Sequence, residues 1–247
     1  MNKPQPTSPT AKMRTLGLLG GMTYHATALY YKQINDRVQA RLGGRHSAKI
    51  VLQSFDFDEI MSTWLSGDRE GVGKMLSAAA ANLKTIGADA IVLCVNTNHM
   101  FAEAIERAAG IPLLHIIDFS AEAIKAAGLG KIALLGTRAT MEGDFIRGRL
   151  ETKHGLEVLL PETGLMDKMD SVIFNELPKY IITDETKEMY TQSARRLIEQ
   201  GAQGIILGCT ELGFVLKQEE FDVPLFDTVA LHARGVADWA VEGHTEK

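Results

Sequence analysis

Short apolar runs alternate with longer stretches of helical pattern along almost the whole chain. LGLL from Leu16, IVLQ from Ile50, AIVLCV from Ala90, PLLHI from Pro112, KIALLG from Lys131, LEVLL from Leu156, GIILG from Gly204 and VPLF from Val223 are each too short for a buried helix and are rich in β-branched residues or leucine. Between them, Gly71 to Ile86 and Thr186 to Gln200 carry apolar residues at three- and four-residue spacing and end near glycine, in IGAD and EQGAQ. Strand followed by helix, repeated in this way, predicts parallel sheets flanked by helices.

The pattern also repeats. GADAIVLCVNT from Gly87 aligns without a gap on GAQGIILGCTE from Gly201, and in that register Val95 falls on Cys209. The duplication predicts an α/β protein of two pseudo-symmetric, doubly wound lobes, each with a sheet of roughly four parallel strands and with a site in the cleft between them. The lobes are expected at residues 14–118 and 119–227, with a C-terminal helix in 228–247 packing back on the first. Residues 1–13, rich in Pro, Thr, Ser and Lys and without apolar periodicity, read as a disordered tail.

Composition narrows the class. The 247 residues are 45% hydrophobic, enough for real cores, and the net charge of -5 is spread over interspersed acids and bases. Nucleic-acid binding would need clustered Lys and Arg. No apolar run is long enough to span a membrane and the first residues lack the apolar core of a signal peptide, so a cytoplasmic protein is expected. Cys94 and Cys209, the only cysteines, are read as free thiols.

Candidate chemistry clusters where strands end. Cys209 in GCTEL follows the run GIILG at the expected start of a helix, where free amides and the helix dipole lower a thiol's pKa; the alternative is a small buried hydrophobe. Asn96 and Thr97 in CVNTNH and Thr137 in LLGTRAT can either bind a carboxylate or cap helices. Gly17, Gly20 and Gly21 permit a tight turn close to a ligand, but the segment matches neither a dinucleotide fingerprint nor a phosphate loop. His99 with either cysteine lacks the further ligands of a metal site, so none is expected. Arg41, Arg45, His46 and Lys49 in RLGGRHSAK form either a solvated loop or a grip for a distal carboxylate.

LGLLGGMTYHATALYYKQIN, LCVNTNH, ALLGTRATM, IFNEL, and GCTEL with PLFDT together resemble the aspartate/glutamate racemase family in order and spacing. That resemblance implies two α/β lobes, a small amino acid or related carboxylate as substrate, no organic cofactor or metal, and a homodimer. It implies two thiols facing opposite sides of the substrate α-carbon, with Asn96, Thr97, Thr137 and Thr210 around the carboxylate and Met22 beside it. One position departs from the family pattern: where its first base stands, immediately before the Asn-Thr pair, this chain has Val95. Cys94 is one residue early and, by strand alternation, should point away from the cleft unless the strand end is distorted. A racemase working through Cys209, slow or one-directional, is the expectation; single-cysteine decarboxylase or isomerase chemistry and an inactive amino-acid-binding protein are the alternatives.

Overall fold

The computed structural model describes residues 12–177 and 181–242. The first half runs β1 (Thr15–Gly20), α1 (Tyr24–Leu42), β2 (Lys49–Ser54), α2 (Phe57–Leu65), α3 (Arg69–Thr85), β3 (Ala90–Leu93), a 3-10 turn (Thr97–Phe101), α4 (Ala102–Ala109) and α5 (Ile116–Ala126). The second runs β4 (Lys131–Gly136), α6 (Arg138–Glu142), a π-helical turn (Asp144–Gly148), α7 (Arg149–Thr152), β5 (Glu157–Leu159), α8 (Thr163–Asn175), α9 (Asp184–Glu199), β6 (Ile205–Gly208), α10 (Leu212–Val215), a 3-10 turn (Gln218–Glu220), β7 (Leu225–Asp227) and α11 (Thr228–Val241).

All strand pairs are parallel, in the orders β2-β1-β3 and β5-β4-β6-β7. The α/β class and the two lobes are therefore as the sequence predicts, with one strand fewer in the first sheet. PLLHI forms only a bridge, Ile91 to Leu113, because α5 begins at Ile116 and takes up the remainder of the run. Every residue of β3 and β6 is buried, whereas no residue of β2, at the edge of its sheet, is more than half-buried. Parallel strands covered on both faces by helices tolerate no polar positions.

The internal repeat extends to backbone detail. Gly87 and Gly201 end α3 and α9 with φ of 100° and 99°, a conformation that favours glycine. The Ala88 amide then donates to Leu83 and that of Ala202 to Leu197, both at 3.0 Å. The Ile91 amide donates to Pro112 at 2.8 Å, and the Ile205 amide to Pro224 at 3.0 Å. Equal geometry at equivalent positions is what a duplicated unit requires.

Helix α11 lies on α1: Val229, Ala233, Val236 and Ala237 share a core with Leu16, Leu18, Tyr30 and Ile34 of the first half. The Arg37 guanidinium makes a two-pronged contact with Asp238, 2.9 Å for each bond, fixing the pair's register. Ile116 and Ile117 pack with the second lobe's Ile132, Leu134 and Met141, while Phe119 of the same helix packs against the α1–α11 core, so α5 touches both cores. Met13 is buried in the α1–α11 core, so ordered packing also reaches back into the expected tail, whose first eleven residues lie outside the described residues. Among the described residues no helix is long and apolar enough to cross a membrane.

Candidate active site

In a parallel α/β sheet the crevice opens beyond the carboxyl ends of the strands, where neighbouring connections leave in opposite directions. Here those points follow β1, β3, β4 and β6, and residues after all four strands converge on one cavity. Its polar wall comprises Thr23, Asn96, Thr97, Asn98, Thr137, Cys209, Thr210 and Glu211, beside Met22 and Val95. The cavity encloses about 90 Å³, several times the ~10–15 Å³ that one water needs. It has room for a small ligand.

Cys209 is 9% exposed and its Sγ donates to Glu211 Oε2 at 3.1 Å. Thr210 Oγ1 donates to the same oxygen, and Thr23 Oγ1 to Glu211 Oε1 at 3.4 Å. Burial pushes the thiol well above its ordinary value, and the Glu211 carboxylate adds to the rise; amide hydrogen bonds from Glu211 and Thr210 oppose it. The lowering expected from a helix N-terminus is thus overturned. Helix α10 starts only at Leu212 and is four residues long, so its dipole is small beside desolvation and a neighbouring carboxylate. At rest Cys209 is a neutral thiol.

Asn96 is 3% exposed and does not cap the turn that follows it. Its Nδ2 donates to Thr228 Oγ1 at 3.1 Å, and that hydroxyl spends its own proton on the Leu207 carbonyl at 2.8 Å. Thr228 can only accept from Asn96, which fixes the amide's orientation. Asn96 Oδ1 is buried and has no hydrogen-bond partner among the described residues.

The hydroxyls of Thr97 and Thr137 meet at 3.3 Å across the two lobes. Thr137 also caps α6, accepting from the Thr140 amide at 3.1 Å, so for this residue capping and cavity-lining coincide. Asn98 Nδ2 donates to Met22 Sδ at 2.8 Å and holds that thioether at the cavity wall. His99, read as a conceivable metal ligand, is instead a brace: its Nε2 accepts from the Ile116 amide at 3.2 Å, leaving Nδ1–H for the Val95 and Asn96 carbonyls at 2.8 and 3.2 Å. Burial holds its pKa down to about 4, so it is neutral. No group of three or more potential metal-binding side chains occurs among the described residues.

Two candidate residues lie elsewhere. Cys94 packs in the core with Tyr30, Val92 and Val229, where burial raises its pKa, and it does not line the cavity; the strand end is not distorted enough to turn it inward. Arg45 is exposed in the turn between α1 and β2. Helix α1 runs from the carboxyl end of β1 back to the amino end of the sheet, so Arg45 sits at the edge opposite the cleft and cannot hold a ligand there. Gly21 also serves packing rather than a ligand: at φ 88°, a Cβ there would lie 2.1 Å from the Phe55 carbonyl oxygen.

A family model described as Asp/Glu/Hydantoin racemase matches residues 19–236. This chain belongs to that racemase family. Racemases are isomerases, and membership places the chain among them. A broad specificity amino-acid racemase of Bacillus subtilis, RacX, is 25% identical over 227 residues, covering 89% of this chain and 95% of the relative. A solved structure of a candidate Asp/Glu racemase from Yersinia pestis superposes with a TM-score of 0.88 at 47% identity, covering 93% of this chain and all of that one. An aspartate racemase homologue from Pyrococcus horikoshii gives 0.79 at 32% identity, with coverage of 92% and 99%.

Set in this racemase fold, Met22, Asn96, Thr97, Thr137, Cys209 and Thr210 share the cavity, whereas Cys94 and Arg45 do not. The sequence reading passed over Glu211, although it stands two residues from the thiol in GCTEL. It also passed over Thr23, Asn98 and an apolar wall from α2 and α8. The aromatic content of SFDFDEIMSTW was the available signal for that wall.

Proposed function

We propose that this racemase exchanges the α-proton of an amino acid through a single thiol, that of Cys209. The observation that carries the reading is the Cys209–Glu211 contact at 3.1 Å in a cavity whose repeat-equivalent position is Val95. Glu211 accepts the thiol proton, and the resulting thiolate removes the substrate α-hydrogen to leave a planar carbanion. The thiol then returns a proton, and Glu211 is regenerated as carboxylate. Asn96 Oδ1 receives the substrate ammonium, and the hydroxyls of Thr97, Thr137 and Thr210 face its carboxylate, where fixed dipoles stabilise developing charge.

Valine holds no exchangeable proton, so the face opposite Cys209 depends on water. Return of the proton to the original face should outrun inversion. In heavy water, deuterium should therefore enter the starting enantiomer faster than the opposite enantiomer appears; an enzyme with two thiols would place it first in the product. Cys209→Ala should reduce exchange by roughly 10²–10⁴-fold. Exchange undiminished in this variant would sink the assignment. A cytoplasmic homodimer remains part of the proposal on the family resemblance, and sedimentation equilibrium checks the assembly.

A further inference from the structure

Thr210 and Glu211 border two spaces. One is the cavity that holds Cys209; the other is a surface groove of about 300 Å³, whose wall includes His25, Ala28 and Lys32 of α1. Side chains of both lobes hold the Glu211 carboxylate where the two spaces meet. Its Oε2 accepts from Cys209 and Thr210, and its Oε1 accepts from Thr23 at 3.4 Å. The Thr23 oxygen also accepts from the Ala26 amide at 3.4 Å to cap α1, and His25 lies in the first turn of that helix. The acid in contact with the thiol therefore shares a groove with an imidazole.

We infer that protons pass between Cys209 and bulk water by way of Glu211 and this groove, with His25 as the relay in its wall. This goes beyond the proposed function and rests on its assignment of Glu211 as the thiol's proton acceptor. Cys209 is only 9% exposed, and a ligand seated against Sγ covers it further on the cavity side. A proton taken from the α-carbon then returns to the same carbon unless Glu211 carries it away. The S–H bond breaks as Glu211 takes the proton, the Glu211 O–H bond breaks as one imidazole nitrogen takes it, and the other nitrogen releases a proton to solvent. The same steps in reverse bring a solvent proton to sulfur. Imidazole suits this place because one ring nitrogen accepts while the other donates. Lys32, paired with Asp36, offers donors only.

The full chain in heavy water, supplied with each enantiomer of aspartate, glutamate and methionine, reports two rates. Entry of deuterium into the starting enantiomer requires the thiol to trade its proton with solvent. Appearance of the opposite enantiomer does not, because the face at Val95 takes its proton from water. In His25→Gln the first rate relative to the second should fall by roughly tenfold, less than the loss of a general acid or base because solvent still carries part of the flux. Added imidazole should restore the ratio. A residue that only packed α1 in place would lower both rates together and would not answer to imidazole.

Ala28→Trp, at an exposed position of α1, fills the groove from a different side chain and should lower the same ratio. An unchanged ratio in either folded variant overturns the relay, as does a lowered ratio in His25→Gln that imidazole leaves unrestored. Absence of exchange with all six substrates in the wild type removes the proposed function and the relay with it. Exchange that requires Cys209 but is indifferent to His25 removes the relay alone, so the two failures are distinguishable.

Discussion

At the scale of single residues, the balance at Cys209 is between desolvation and hydrogen bonding, and desolvation wins. Burial and the Glu211 carboxylate both raise the thiol's pKa, so the resting group is a neutral thiol, and in the proposed mechanism it becomes a base when Glu211 takes its proton. Glu211→Gln removes the negative charge while keeping the side chain's shape. In a Cys94→Ala background, the ultraviolet titration of the Cys209 thiolate should then shift to lower pH. Heavy-water exchange should nevertheless slow by roughly 10–100-fold, because the thiol loses its acceptor. A faster Glu211→Gln enzyme would mean that the carboxylate only hinders.

Val95→Cys is the complementary change. Val95 is half-buried at the cavity wall, so a smaller thiol fits, and the ratio of inversion to exchange should rise. No rise in a folded variant would show that something other than the missing thiol limits inversion.

The elements position these residues. The polar cavity residues follow β1, β3, β4 and β6, and the loops are held by buried groups that take no part in the chemistry. His99 ties the loop after β3 to the start of α5, and His232 of α11 donates from Nε2 to the Leu114 carbonyl while Nδ1 accepts from Tyr30, both at 2.8 Å. Tyr30→Phe would orphan the buried Nδ1 and should destabilise the fold by about 1–3 kcal/mol in urea unfolding. A loss within error would mean that water replaces the hydroxyl.

Helix α5 is anchored differently. Asp118 accepts two bonds from Arg149 at 2.7 Å each, and one each from Lys153 and His154 at 2.8 Å, joining α5 to α7 and the turn beyond it. These partners hold its carboxyl well below the usual range. No change in the sequence pattern marks this cluster, because Asp118 lies more than thirty residues from its three partners and meets them only on folding.

For the whole molecule, the buried histidines set the response to acid. Burial holds His99 down to about 4 and His232 down to about 3, and lowers His115 further, against 6.5 for the free group. Between pH 6.5 and 4 the unfolded chain therefore binds more protons at these positions than the folded one, and stability falls as pH falls. Their contribution is fully present above 6.5 and is lost progressively down to the folded pKa values. The urea midpoint should be level near neutrality and decline steadily across that window. A flat midpoint from pH 7 to 4 would show that these rings are not buried neutral.

The sequence by itself determined the alternation of strand and helix, the duplicated unit and the residues at the strand tips, because each is set by local periodicity or by chain neighbours. From the resemblance, Val95 is expected at the position of the family's first base. The bridge at Leu113, the packing of α5 against both cores and the burial of Met13 depend on competition between segments for the same packing surface. Whether Cys209 is thiol or thiolate, whether Asn96 caps its turn, and that Arg45 lies at the far edge were decided only by tertiary structure. Desolvation, an unpaired acceptor and distance from a cleft are properties of residues brought together from remote parts of the chain, and no local pattern encodes them.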